Sequence, residues 1–155
     1  MIPSLKSLRL LAIVLAALAM GMHLAHALEL LPKRQWAPEL YLAVQSTLYR
    51  LFGIIGPVLE IGALIAVLCL GFRLRKQGVA SPLVFSSAAA IALALLVWAT
   101  AVLPANMQLA AWQASGVAPA DWMRWRDQWQ FAQAFIFVLH LAGFTALVAS
   151  VASDT

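Results

Sequence analysis

Apolar residues fill four long runs of this chain, and polar residues gather between them. The runs cover about residues 8–31, 51–72, 82–103 and 131–152. Each is close to the roughly 20 residues that a helix needs to cross the hydrocarbon core of a bilayer. Lipid offers the backbone no hydrogen-bond partner, so each run is predicted to be an α-helix. The first run stops at Pro32 and the second at Arg73, Arg75 and Lys76. The third opens at Ser81-Pro82, a favoured helix start, and stops ahead of Pro104. The expected fold is all-α: one domain over residues 1–155, an integral membrane four-helix bundle.

Two helices look longer than a membrane is thick. Pro38, with Glu39 in the first turn, marks a start, and no strong break follows before Gly53. One helix could therefore run from about Pro38 to about Leu74, roughly 55 Å at the α-helical rise. Pro119 and Asp121 open another that could continue to the C-terminus. Residues 105–115 suggest a short helix ended by Gly116. The excess lengths fall on one side, which predicts a small outer cap built from residues 33–50 and 104–128. Trp122, Trp125 and Trp129 share a helical face and read as an interfacial aromatic belt, or else as the rim of an apolar ligand entrance. Trp36 and Trp112 are assigned to the same layer.

Composition agrees. Of 155 residues, 64% are apolar and 10% charged, where an ordinary soluble domain carries about 25% charged residues. Such a chain cannot cover itself as a water-soluble enzyme, and it is too apolar to be disordered. The net charge of +4 would suggest nucleic acid in a soluble protein. Here the Lys and Arg residues sit at the ends of apolar runs, where they anchor and orient the helices, and no nucleic-acid partner is expected. The lone Cys69 excludes an intramolecular disulfide and reads as a small packing residue. Lys6, Arg9 and Ala25-His26-Ala27 fit a cleavable signal, but the apolar segment outlasts a usual signal core and is read as a retained span. Basic residues divide evenly between the two sides. The compact group Arg73, Arg75 and Lys76 decides for a bacterial-type inner membrane with both termini cytoplasmic.

No phosphate loop, nucleophile elbow or cysteine metal motif is present in the sequence. Gly53-x-x-Gly56-Pro57 lies inside an apolar run and marks a kink, because Pro57 has no amide to give the Gly53 carbonyl. Ionisable residues inside a spanning helix are costly and are functional candidates by default. They are His23, His26, Glu29, Glu60 and His140. Counting rise per residue, His23 and Glu60 lie roughly 12 Å below the outer boundary and His140 roughly 14 Å. Three helices thus bring polar groups to one depth. His23, His26 and Glu29 follow at i, i+3, i+6, about 60° apart, on one helix flank.

A polar pocket in the outer half is therefore expected, floored by His23, Glu60 and His140. Glu29 has Lys33 and Arg50 as cationic neighbours, and Thr100 is among the groups that could extend the lining upward. The candidate catalytic residues are His23, His26, Glu60 and His140. The candidate substrate-binding residues are Glu29, Gln45, Tyr49, Arg50, Asn106, Arg126, Trp129 and Gln133. Three uses stay open. Imidazoles with a carboxylate bind Zn, Cu or Fe. A His–Glu pair relays protons or takes one from a phenolic substrate. The same groups, bonded to one another, fix helix register. The cofactor is accordingly unknown, with a His/Glu metal site the lesser reading beside proton transfer.

The segment His26-Ala27-Leu28-Glu29-Leu30-Leu31-Pro32-Lys33 resembles the H-x-L-E-x-P-x-K turn of the anthrone-oxygenase-like family, small membrane proteins catalogued as a domain of unknown function. Tyr41 to Gln45, Leu48-Tyr49-Arg50, Pro104-Ala105-Asn106, Trp112, Asp121-Trp122 and Arg126-x-x-Trp129 resemble its later segments. Leu30-Leu31-Pro32 is one residue longer than the family spacing, and Gln133 stands where many relatives have a histidine. The resemblance implies a four-helix membrane protein and, through some fungal relatives, an oxygenase that converts anthrones to anthraquinones with molecular oxygen. The function expected is an oxidoreductase acting on a small aromatic or quinone-like substrate. The alternatives are a non-catalytic accessory or lipid-like ligand binder, and a small oligomeric transporter. The expected partners are the lipid bilayer, such a small ligand and, through Gly62-x-x-x-Ala66 and the Ala-rich third run, a second copy of the chain.

Overall fold

The computed structural model describes residues 4–79 and 81–152. The elements in order are α1 (Leu5–Leu28), α2 (Leu30–Lys33), α3 (Pro38–Thr47), α4 (Phe52–Lys76), α5 (Pro82–Val97), a π-helical turn (Trp98–Val102), α6 (Leu103–Ser115) and α7 (Trp122–Ala152). No strand occurs among the described residues. Four helices are long and apolar enough to cross a membrane: α1, α4, α7 and the continuous rod Pro82–Ser115. Large apolar side chains such as Leu10, Leu18, Val58, Ile65, Leu96 and Val138 point outward from them. A helix apolar on its outer as well as its inner face suits lipid rather than water, and the chain is that of a multi-pass membrane protein.

The local chemistry explains the boundaries, three of which differ from expectation. Ser4 caps α1 by accepting the Ser7 amide at 3.1 Å. That helix ends at Leu28 rather than Leu31, because Pro32 has no amide for the Leu28 carbonyl and its ring crowds it. The long helix expected from Pro38 to Leu74 is two helices broken at residues 48–51. Ser46 and Thr47 hydroxyls both bond the Ala43 carbonyl, at 3.3 and 2.6 Å. The Tyr49 amide reaches back five residues to Val44, at 3.4 Å, so the regular ladder lapses there rather than at Gly53. The third span does not stop at Leu103. The π turn, in which the Leu103 amide bonds the Trp98 carbonyl, widens the rod just ahead of Pro104. Pro104 then sits in the first turn of α6, where a missing amide costs nothing. Gly116 ends α6 as expected, with φ at 71° and its amide on Trp112.

The four rods form a ring in which α1 and α5 each pack against both α4 and α7. Small residues make the approach close. Ala12, Ala16 and Ala19 line the buried stripe of α1, and Gly56, Ala63, Ala66 and Gly71 that of α4. A close crossing on rigid neighbours is at Gly143 of α7. A Cβ there would lie 3.2 Å from the Ala90 Cβ and 3.3 Å from the Ser87 carbonyl oxygen. Neither neighbour is a flexible side chain. Gly143→Ala is therefore expected to destabilise the bundle by about 1–3 kcal/mol, measured by thermal unfolding in detergent micelles. An unchanged midpoint would mean that α5 and α7 do not cross here.

Two apolar clusters fill the ring. One, near the chain termini, gathers Leu8, Ala12, Ala63, Val67, Leu70, Val84, Ile91 and Leu147. The other, under the cap, gathers Tyr41, Ala94, Val102, Leu109, Trp112, Trp129 and Ile136. The cap is formed by α2, α3, α6 and the start of α7, as expected. Between the clusters lies a buried polar layer.

Candidate functional site

Three spanning helices supply the polar layer: α1 gives His23, α4 gives Glu60 and α7 gives Gln133 and His140. Each of these side chains is buried. The His23 Nε2 is 2.8 Å from Glu60 Oε1, and its Nδ1 is 2.7 Å from Gln133 Oε1. His140 Nε2 lies 3.5 Å from the other Glu60 oxygen. The two imidazoles stack, with centroids 5.0 Å apart and planes 15° from parallel. The depth coincidence read from helical rise is thus real contact. Both oxygens of one carboxylate meet an imidazole, and such pairing is what makes a buried charge bearable.

One turn above, His26 is enclosed by the rings of Tyr49, Phe52 and Trp129, at 4.8, 5.2 and 4.9 Å between centroids. Its Nδ1 faces Glu29 Oε2 at 3.7 Å, too far for a hydrogen bond. Glu29 is held by the Lys33 ammonium at 2.8 Å and by the Tyr49 hydroxyl, which donates to its other oxygen. Lys33 has no exposed surface. Its ammonium sits 3.9 Å from the Tyr49 ring centroid and 3.3 Å from Gln45 Oε1.

His23, His26, Tyr49, Glu60 and Gln133 border a cavity of about 240 Å³. His23 and Glu60 form its floor, and His26, Tyr49, Phe52, Trp98, Trp129 and Gln133 its walls. Gln45, Arg50, Asn106 and Gln113 add polar side chains to the lining. The kink residues Gly53, Gly56 and Pro57 line the α4 side.

The structure assembles most of the expected set and removes some of it. His23, His26, Glu60, Gln45, Tyr49, Arg50, Asn106, Trp129 and Gln133 border the cavity. His140 lies behind Glu60 and completes the floor cluster. Glu29 does not line the cavity; it stands behind His26, and its ion-pair partner is Lys33 rather than Arg50. Arg126 does not line it either. Its guanidinium bonds the Arg34 carbonyl at 3.0 Å and Asp127 at 2.9 Å and rests on the Trp122 ring, fastening α7 to the chain after α2. Thr100 is exposed and bonds the Leu96 carbonyl, so it is spent on its own helix.

Of the three tryptophans, Trp129 is buried and donates to Asn106 at 2.8 Å, Trp122 packs on Trp112 and Tyr41, and half-buried Trp125 donates to Asp121 at 3.0 Å. Cys69 points outward instead of packing inside. Trp98 was not legible as a wall residue, since no sequence signal marks a π turn. The full burial of Lys33 was likewise hidden, although its i, i+4 spacing from Glu29 points to the pair.

Outside the spans, burial alone would raise the Glu29 carboxyl, but the Lys33 ammonium and Tyr49 hydroxyl outweigh it and hold the group below its ordinary value of 4.5. Burial pulls the Lys33 ammonium down, opposed by Glu29. Burial and the neighbouring Glu29 push the Tyr49 phenol up, so it stays a donor. A depressed carboxyl stabilises the fold above its unfolded value and ceases to as pH falls through the folded one. The cap is thus expected to loosen only below about pH 4.5, read as a step in tryptophan fluorescence that Glu29→Gln lacks. The same step in the variant would place its origin elsewhere.

No protein-family model, curated protein or solved structure matches the chain.

Proposed function

We propose that this protein is a membrane oxidoreductase that oxidises a small aromatic, quinone-like molecule entering the cavity from the lipid interface. The observation that carries the reading is His26: a buried imidazole on the cavity wall, with Nδ1 turned to a carboxylate and no hydrogen bond made. An imidazole whose Nδ1 faces a carboxylate presents its Nε2 as a base. Glu29 behind Nδ1 orients the ring and stabilises the imidazolium, and Lys33 and Tyr49 orient Glu29. Contacts of this kind are often long without substrate and tighten in the reacting complex.

In the reaction, His26 Nε2 takes a proton from an acidic ring CH₂ of a phenol-activated substrate, and molecular oxygen accepts the electrons of the resulting carbanion. One oxygen atom enters the product as C=O and the other leaves as water, which receives the two hydrogens of the CH₂. The resemblance to the anthrone-oxygenase-like family supports this class of substrate. The cavity volume of about 240 Å³, below the roughly 300–1,000 Å³ of pockets for drug-sized ligands, limits the guest to a small molecule. Trp98, Phe52 and Trp129 place aromatic rings in the lining, which suits an aromatic guest.

The test is oxygen consumption by the full chain in lipid nanodiscs given an anthrone. The expected result is uptake stoichiometric with quinone formed and saturable in substrate. Tight binding of the aromatic without oxygen uptake would replace the reading with that of a non-catalytic carrier. The inner-membrane location with both termini cytoplasmic is part of this proposal, supported by Arg73, Arg75 and Lys76 at the end opposite the cap.

A further inference from the structure

The floor of the cavity holds an arrangement that proton chemistry at His26 does not use. His23, Glu60 and His140 come from three different rods, and one ligand atom of each lies within 4.8 Å of the others. The Gln133 carbonyl oxygen fixes the His23 proton on Nδ1, at 2.7 Å. A neutral His23 then turns the lone pair of Nε2 toward Glu60 Oε1 at 2.8 Å. Two acceptors facing each other at that distance require a proton or a metal ion between them. A proton on His23 or on Glu60 is one solution; a metal ion is the other.

We propose that His23, Glu60 and His140 bind a divalent first-row transition ion, with one coordination side open to the cavity. The imidazole–carboxylate separations suit it. Ligands at about 2.0–2.2 Å from an ion, set at tetrahedral or octahedral angles, stand roughly 2.9–3.5 Å apart. His23 and His140 stand 2.8 and 3.5 Å from the two oxygens of Glu60; the ligand atoms as a set span up to 4.8 Å, so the side chains draw together around the ion. Two imidazoles and one carboxylate form the donor set of three-ligand catalytic sites that keep a free position. A metal-bound imidazole characteristically donates its other N–H to an oxygen, and Gln133 provides that oxygen. Inward ligands from facing helices are how bundles hold metals. Hard ions that prefer all-oxygen shells are not served by this set, whereas Zn²⁺, Fe²⁺ and Mn²⁺ are. The ion site stands independently of the oxidation proposed at His26.

The experiment uses the full chain in detergent or nanodiscs. Protein stripped with a chelator is dialysed against Zn²⁺, Fe²⁺, Mn²⁺ or Co²⁺ in turn, and metal per chain is measured by elemental mass spectrometry. The expected result is one ion per chain for at least one metal, with a d–d spectrum of four or five ligands for Co²⁺. Glu60→Gln and His140→Gln should weaken binding more than about 100-fold and Gln133→Leu about 10–100-fold, the range for an outer partner. His26→Gln should leave it unchanged. Should the ligand variants not fold, Cu²⁺ bound to the wild-type chain still reports through electron paramagnetic resonance, where coupling to two nitrogens is expected. No stoichiometric ion, full binding in folded Glu60→Gln and His140→Gln, or a Cu²⁺ signal without nitrogen coupling would each overturn the site. Zn²⁺ preference assigns a Lewis-acid ion, and Fe²⁺ or Mn²⁺ preference a redox-active one. Oxygen uptake by metal-free protein would leave the His26 chemistry standing without the ion.

Discussion

Replacing Glu60 by leucine is expected to destabilise the bundle by about 3–5 kcal/mol, the cost of removing one partner from a buried charged pair. Glu60 is 2% exposed and touches two imidazoles that are themselves buried. Leucine fills the volume but leaves His23 Nε2 and His140 Nε2 facing hydrocarbon. Their unmet polarity, rather than any lost packing, sets the penalty. Glu60→Gln keeps an acceptor for one imidazole and should cost only about 1–3 kcal/mol. The two variants separate charge from shape. Equilibrium unfolding in mixed micelles measures both, and equal stability of wild type and Glu60→Leu would mean that the three side chains do not meet.

His26→Gln is expected to slow turnover by about 100- to 10,000-fold, the range that a positioned general base supplies. Glutamine is close to histidine in size and polarity and fits among Tyr49, Phe52 and Trp129, but it cannot take a proton near neutral pH. Helix content and thermal midpoint should change little, so the loss would belong to chemistry. Glu29→Gln should act through His26: it keeps the shape behind the ring but removes the charge that favours the imidazolium. The expected signature is a smaller rate loss with a shifted pH profile, in contrast to the near-complete loss at His26. Wild-type rates in His26→Gln would remove the mechanism.

Much of this site was legible before any fold was known, for a definite reason. Charged and imidazole groups are rare in spanning helices because lipid penalises them. His23, Glu60 and His140 stand out against their runs, and helical rise places them at one depth. Depth is one coordinate, however. Rotation about each helix axis decided that all three face inward, and that is a matter of packing. Ala12, Ala16 and Ala19 on α1 and Gly56 and Ala63 on α4 set those rotations by letting the rods approach closely. Arg126 shows the converse. Its place among the cap residues suggested a cavity role, yet its guanidinium bonds the Arg34 carbonyl, 92 positions away, and no local pattern could announce that partner.

Apolar patterning along the chain was enough to set the solvent and the scaffold. Four runs of apolar residues too sparse in charge for water can be satisfied only as helices in lipid, since each helix closes its own backbone hydrogen bonds. Gly116 and the prolines at 38 and 82 set ends through φ and missing amides, which are properties of single residues. Where the polar side chains found partners followed from the packing of the rods. The break at residues 48–51 carries Tyr49 onto Glu29, the π turn brings Trp98 to the cavity, and burial of Lys33 depends on rings from α7 and from the chain after α3. Such pairings rest on distances between segments far apart in the chain, and those distances exist only once the rods are packed.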